Sequence, residues 1–236
     1  MMPVTARLAA TFGILVALAC ALYPAIDIGV ASLFYDPARG DRFILHNVDW
    51  IDAVRQVLLY LPLAVTLVAV LSLLGNWLRL PLARHLPPRS ALFLVSTLLL
   101  IPGLLVNGLL KENWGRPRPG EVVEFRGPDP FYPWWKPGGP CDKNCSFVSG
   151  EVSATAWLTA AASLTPPTVR PWVMGAAVAA TAVSALLRMG FGRHWFSDVV
   201  IAATLTIVLV ALARHLFFGR RGRGDPADPA PESTTP

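Results

Sequence analysis

The chain has 236 residues, 54% of them hydrophobic and only 15% charged, and its apolar residues fall in long unbroken blocks, which excludes an ordinary soluble globular domain and describes a membrane protein. A hydrocarbon core of roughly 30 Å takes about 20 apolar residues per helix, leaving room for about six spans and one modest extramembrane loop. The formal net charge of +5 comes largely from arginines at the ends of apolar blocks, a topological pattern and not the continuous basic face of a nucleic-acid binder.

Apolar runs between charges predict spans at about 6–26, 54–78, 90–110, 150–165, 169–187 and 197–217, an all-α polytopic bundle in one membrane-embedded domain over residues 1–218. The first block follows Arg7 and resembles a secretory signal. Its apolar run is long for such a signal and rich in alanine throughout, so it is expected to remain as a span. Arg7, then Arg79, Arg84 and Arg89, then Arg170, then Arg214, Arg220, Arg221 and Arg223 mark segments that the positive-inside rule puts in the cytoplasm. The segment 27–53, which carries Asp27, Asp36, Asp41, Asp49 and Asp52, is then outside, with the loop 111–149 and the turn 188–196. Cys141 and Cys145 lie four residues apart in that long outer loop, as a disulfide of an oxidising compartment would, whereas Cys20 lies inside the first block. The tail 219–236 is first basic, then rich in Pro, Asp, Ala and Thr, and is expected to be disordered.

Three polar clusters fall at predicted outer helix ends: Lys111 to Pro119 leaving the third span, Ser146 to Glu151 entering the fourth, and Arg188 to Asp198 between the fifth and sixth. A phosphoryl group needs several Lys or Arg donors, preferably forked ones, and Lys111, Arg118 and Arg188 can supply them. Ser149 and Gly150 precede a helix, whose free amides and dipole favour an anion, and glycine lets phosphate approach the backbone. His194 and Asp198 are four residues apart at a helix start, a spacing that puts a carboxylate beside an imidazole. An Asp accepting from one ring nitrogen leaves the other free to attack, the logic of nucleophile and orienter.

The pattern Lys111-x6-Arg118-Pro119, then Ser149-Gly150-x, then Arg188-x5-His194-x3-Asp198 resembles the three-part signature of the type 2 phosphatidate phosphatase superfamily, which also contains vanadium haloperoxidases and glucose-6-phosphatase. The resemblance covers roughly residues 54–217 and implies a metal-independent phosphatase with an all-helical core and no cofactor. It implies that Lys111, Arg118 and Arg188 bind phosphate with support from Ser149 and Gly150, that His194 attacks phosphorus, and that Asp198 orients it. Val148 and Leu187 stand where the family usually has Pro and Ser. Glu151 stands where the family has the His that protonates the leaving alkoxide, and is assigned that acid role or, alternatively, that of a charge complementing the helix dipole.

Taken singly, an Arg or Lys at a span end is ordinarily topological, and only the register shared by Lys111, Arg118 and Arg188 reverses that reading. Arg116 and Arg193 lie beside the register, where contact with a lipid headgroup competes with catalysis. A metal site from Cys141, Cys145, Glu151 and His194 lacks the regular spacing that zinc motifs show. Trp114, Trp134, Trp135, Trp172 and Trp195 fall near predicted membrane boundaries as interfacial anchors, those in the loop being able to line a substrate entrance. The expected enzyme is a lipid phosphate phosphatase of the bacterial inner membrane, multi-pass, with its site facing the periplasm. Its partners are the bilayer and a membrane lipid phosphate, with no protein partner implied. Candidate substrates are undecaprenyl phosphate or pyrophosphate, phosphatidylglycerol phosphate, phosphatidate and lipid A, the last favoured by the long loop. The alternatives are a phosphotransferase using the same phosphohistidine and a non-catalytic lipid-phosphate binder or transporter.

Overall fold

In a computed structural model of the chain, the residues described are 4–40, 42–78 and 86–219. Arg79, Arg84, Asp41, Arg220, Arg221, Arg223 and the tail beyond Gly219 lie outside the described residues. The helices are α1 (Val4–Leu22), α2 (Ala25–Ser32), α3 (Asp49–Trp77), α4 (Pro88–Leu98), α5 (Lys111–Asn113), α6 (Gly150–Ser163), α7 (Arg170–Gly190) and α8 (Phe196–Phe218). Between α4 and α5 the chain continues without a break as a π-helix, Leu99–Leu110, so Pro88–Asn113 forms one span. The only sheet among the described residues is an antiparallel pair, β1 (Tyr35–Asp36) and β2 (Arg42–Phe43), with Tyr35 opposite Phe43.

Five of these helices are long and apolar enough to cross a membrane. The fourth expected span, α6, has 14 residues, about 21 Å at 1.5 Å per residue and shorter than the hydrocarbon core. It is instead the hub of the bundle. Val152, Ser153, Thr155, Ala156, Trp157, Thr159, Ala160 and Ala162 are all buried, and α3, α4, α7 and α8 pack on it. A helix without a polar face has to be surrounded, and its many Ala, Ser and Thr residues let neighbours come close. Two bonds pin it: Ser153 Oγ lies 2.7 Å from Thr206 Oγ1 on α8, and Trp157 Nε1 donates to Thr97 Oγ1 on α4 at 2.9 Å. By contrast, α1 and α3 expose Leu8, Phe12, Leu15, Leu63, Leu67 and Leu71. An apolar belt of that extent on a soluble surface would aggregate, whereas lipid solvates it.

The two ends of the bundle differ. At one end the guanidinium groups of Arg89 and Arg214 both lie over the Phe218 ring, 5.5 and 5.9 Å from its centre. At the other lies the segment 27–53 expected outside: with the residues just before it, it holds α2 and the β1–β2 pair, and Asp27, read as one of its topological charges, is 1% exposed. The hairpin docks on the turn after α7, where the Leu45 amide donates to Gly190 O at 3.2 Å. Gly192, with φ +67°, leaves no room for a β-carbon because the Phe43 ring lies against it.

Candidate active site

The three clusters converge at the end opposite Arg89 and Arg214. Lys111 closes the third span, Ser149 precedes α6, Arg188 sits in the last turn of α7, and His194 lies one residue before the N-cap of α8. The turn Cys141–Ser146 folds back on the first cluster: the Cys145 amide donates to Lys111 O at 3.3 Å and the Ser146 amide to Arg116 O at 2.8 Å. A Cys141–Cys145 disulfide closes that turn. Within it, Asn144 O accepts from Arg118 Nη2 at 2.6 Å, which fixes the guanidinium at the site.

Arg116 and Arg118 flank Pro117, and their side chains take different surroundings. Arg118 and Lys111 turn outward and line a polar cavity of about 510 Å³ together with Arg55, Glu151, Arg188 and Arg193. Burial, the largest influence on it, pulls the Arg118 guanidinium below its ordinary value. Arg116 turns inward and is completely buried, which rules out the headgroup contact weighed evenly against catalysis. Its Nη2 meets Asp27 Oδ2 at 2.7 Å, its Nη1 donates to Ser197 Oγ at 2.8 Å and to Asp198 Oδ1, and its Nε donates to Tyr132 O at 2.8 Å. Ser197 closes the ring, its amide and hydroxyl donating to Asp27 at 2.8 and 2.6 Å.

His194 sits above this network, 1% exposed. Its Nδ1 is 2.7 Å from Ser146 O, the geometry of an N–H donor to a carbonyl, so Nδ1 carries the proton and Nε2 holds the free lone pair. Asp198 Oδ2 is 3.8 Å from the same Nδ1, outside hydrogen-bond range. That oxygen instead accepts from Ser146 Oγ and, at 3.0 Å, from the Trp195 amide. Asp198 therefore touches the imidazole indirectly, through the residue whose carbonyl fixes the ring. Burial pushes the His194 imidazole down to about 4, with Asp198 opposing the shift and the positive charge of Arg188 adding to it. The ring is neutral at neutral pH.

Ser149 Oγ and Arg188 Nε are buried polar atoms with no hydrogen-bond partner among the described residues. Buried donors are rarely left unpaired without a ligand to meet them. Gly150, the first residue of α6, cannot be larger because a β-carbon would collide with the Asn107 side chain. Glu151 is held by two arginines: its Oε1 is 2.8 Å from Arg55 Nη1 and 3.0 Å from Arg188 Nη1. Arg55 in turn donates from Nε to Asp52 Oδ1 at 2.7 Å. Sequence reasoning missed Arg55 altogether and read Asp27 and Asp52 as topological charges. The only available signal for Arg55 was a cation inside the first turns of an otherwise apolar helix, where a charge needs a partner.

Comparison with known proteins gives a consistent set of matches. The model of the family described as PAP2 superfamily matches residues 90–222. A lipid A 4'-phosphatase of Francisella tularensis subsp. novicida (strain U112) is 33% identical over 203 residues, which cover 85% of this chain and 90% of that protein. A lipid A 4'-phosphatase of Rhizobium leguminosarum is 33% identical over 200 residues, 80% of this chain and 86% of the relative. A third of that name, from Rhizobium etli (strain ATCC 51251 / DSM 11541 / JCM 21823 / NBRC 15573 / CFN 42), is 30% identical over 205 residues, 80% of this chain and 78% of its own. No solved structure matches the chain.

Proposed function

The chain belongs to the PAP2 superfamily, and from that premise we propose that it is a phosphatase of an envelope lipid that removes the 4'-phosphate of lipid A through a phosphohistidine at His194. The observation that carries the chemistry is a neutral imidazole fixed by Ser146 O, together with a cavity lined by the three phosphate-register cations and two buried polar atoms, Ser149 Oγ and Arg188 Nε, without partners among the described residues. The substrate comes from the name shared by the relatives.

The phosphoryl group enters the cavity and takes bonds from Lys111, Arg118 and Arg188, with Ser149 Oγ, Arg188 Nε and the free amides at the start of α6 completing the cradle. The Nε2 lone pair of His194 attacks phosphorus, the bond to the leaving oxygen breaks, and its electrons stay on that oxygen. Ser146 O receives the Nδ1 proton bond throughout and steadies the positive charge that the ring acquires. Glu151 occupies the family position of the proton donor. In this reading it delivers a proton to the leaving oxygen. Water then attacks phosphorus and gives its proton to the Glu151 carboxylate, the phosphorus–nitrogen bond breaks with its electrons returning to Nε2, and inorganic phosphate leaves with His194 and Glu151 restored. No step requires a metal.

The site faces the periplasm in this reading, because Arg89, Arg170 and Arg214 mark the opposite, cytoplasmic end. The test is phosphate release from purified lipid A, phosphatidate, phosphatidylglycerol phosphate and undecaprenyl phosphate in detergent with a chelator present. Release from lipid A above the other lipids is expected. Release only on adding a divalent cation, or only from another lipid, would overturn the corresponding part.

A further inference from the structure

Behind Arg118 and Arg193 a second cavity of about 210 Å³ adjoins the first, and His46 and Phe191 border both. One wall is aromatic: Tyr35, Phe43 and Phe125 meet with ring centres 5.0 to 5.5 Å apart, edge to face or tilted, which makes a stiff apolar surface. The remaining lining is polar and mixed in sign, with Arg42, His46 and Arg193 as donors and Glu121 as an acceptor.

The composition selects among ligands. A second phosphate would face the Glu121 carboxylate and leave the aromatic wall unused. An acyl chain would find charged groups with nothing to bind. A sugar ring has C–H faces that lie on aromatic rings and hydroxyls that pair with arginine, histidine and carboxylate together, and both surfaces are present. Size agrees, since two adjoining cavities of these volumes reach the range of roughly 300–1,000 Å³ that small-molecule sites occupy.

The origin of the residues points the same way. Lys111, Arg118, Ser149, Arg188 and His194 all lie within the stretch matched by the family, 90–222. Tyr35, Arg42, Phe43 and His46 lie outside it, on the hairpin that docks against the turn bearing Arg193 and His194. The shared chemistry therefore lies within the family stretch, whereas one side of the second cavity, these four residues, is added from outside it. We propose that this cavity is a saccharide subsite, which holds the pyranose ring carrying the phosphomonoester and so selects glycolipid phosphates over glycerol-based ones. The inference rests on the lipid phosphatase reading above and names how that site recognises its substrate.

The test compares the full-length wild-type protein with Arg42→Ala and Arg42→Lys on two substrates, lipid A and dioleoyl phosphatidate. Arg42 is exposed and borders only the second cavity. Loss of one charge-assisted hydrogen bond should lower kcat/KM for lipid A by about tenfold or more in Arg42→Ala, mainly through KM. Phosphatidate turnover should change by less than about twofold, and Arg42→Lys should recover part of the lipid A rate. If wild type and variant hydrolyse both lipids and Arg42→Ala slows both equally or neither, the subsite is wrong while the phosphatase reading stands. If wild type hydrolyses phosphatidate and leaves lipid A untouched, the subsite and the lipid A assignment are overturned, and release from neither lipid would overturn the phosphatase reading itself.

Discussion

Two polar regions meet at His194 and differ in how their bonds are filled. Beneath the ring, Arg116, Asp27, Asp198 and Ser197 are completely buried or nearly so and pair with one another through bonds of 2.5 to 2.8 Å. Beside it, the cavity gathers Lys111, Arg118, Arg188 and Arg193 with the carboxylates Asp49, Asp52 and Glu151, while Ser149 Oγ and Arg188 Nε are buried with no hydrogen-bond partner among the described residues. A satisfied network builds geometry, because any movement breaks several bonds at once. A network with donors to spare is incomplete until an anion arrives. Both depend on charge, so counting arginines does not separate scaffold from site; tracing where each donor goes does.

The largest effect should come from the scaffold. Arg116→Met removes the cation between two buried carboxylates and should cost about 3–5 kcal/mol, visible as a steep fall in the thermal unfolding midpoint in detergent. A midpoint within a few degrees of wild type would mean that the lower network is not the scaffold. On the cavity side the sign of the comparison reverses. Arg188→Ala should leave the unfolding midpoint nearly in place and lower kcat by roughly 10²–10³-fold, the usual cost of one donor to transition-state charge. An unfolding defect as large as that of Arg116→Met would erase the distinction.

Much of this division was legible in the sequence, and the reasons are local. The spacing Lys111-x6-Arg118 and Arg188-x5-His194 survives any folding detail, because each pair is carried by one short stretch of chain. What escaped was set by long-range contacts. Asp27 meets Arg116 across 89 residues and Arg55 meets Glu151 across 96, and no periodicity reports such a pairing. The i, i+4 spacing of His194 and Asp198 placed both groups correctly but gave the wrong bond, because a buried Asp turns to the strongest donors available and Arg116 and Ser146 outbid a neutral imidazole. The short α6 was visible as a short apolar run, although its place at the centre follows from having no polar face to show.

The ring between the two regions gives a third prediction. Its folded value of about 4 lies below the ordinary 6.5, so the unfolded chain binds an extra proton between these limits. Stability tied to His194 is complete above about pH 6.5 and is lost as the pH falls toward 4, by on the order of 3 kcal/mol. Unfolding midpoints of wild type and His194→Gln should therefore diverge over that window, with the wild type falling further; parallel curves would mean that the ring is not held neutral by burial.

Glu151 carries the fourth and smallest effect, because it belongs to the cavity yet is fully paired in the free enzyme. As a proton donor, Glu151→Gln should slow an alkyl phosphate by roughly 10²-fold and an aryl phosphate with an acidic leaving group only slightly. Equal losses on both would confine Glu151 to holding Arg55 and Arg188 in place.

The central claim is a covalent bond to His194, and the most direct measurement is to trap it. Rapid acid-free quenching of the enzyme with lipid radiolabelled in its phosphate, followed by peptide mapping, should find an alkali-stable, acid-labile phosphoryl group on His194. The His194→Ala protein, inserted in the membrane as wild type is, should show neither label nor turnover. Label on another residue, or near-normal phosphate release by His194→Ala, would contradict the account.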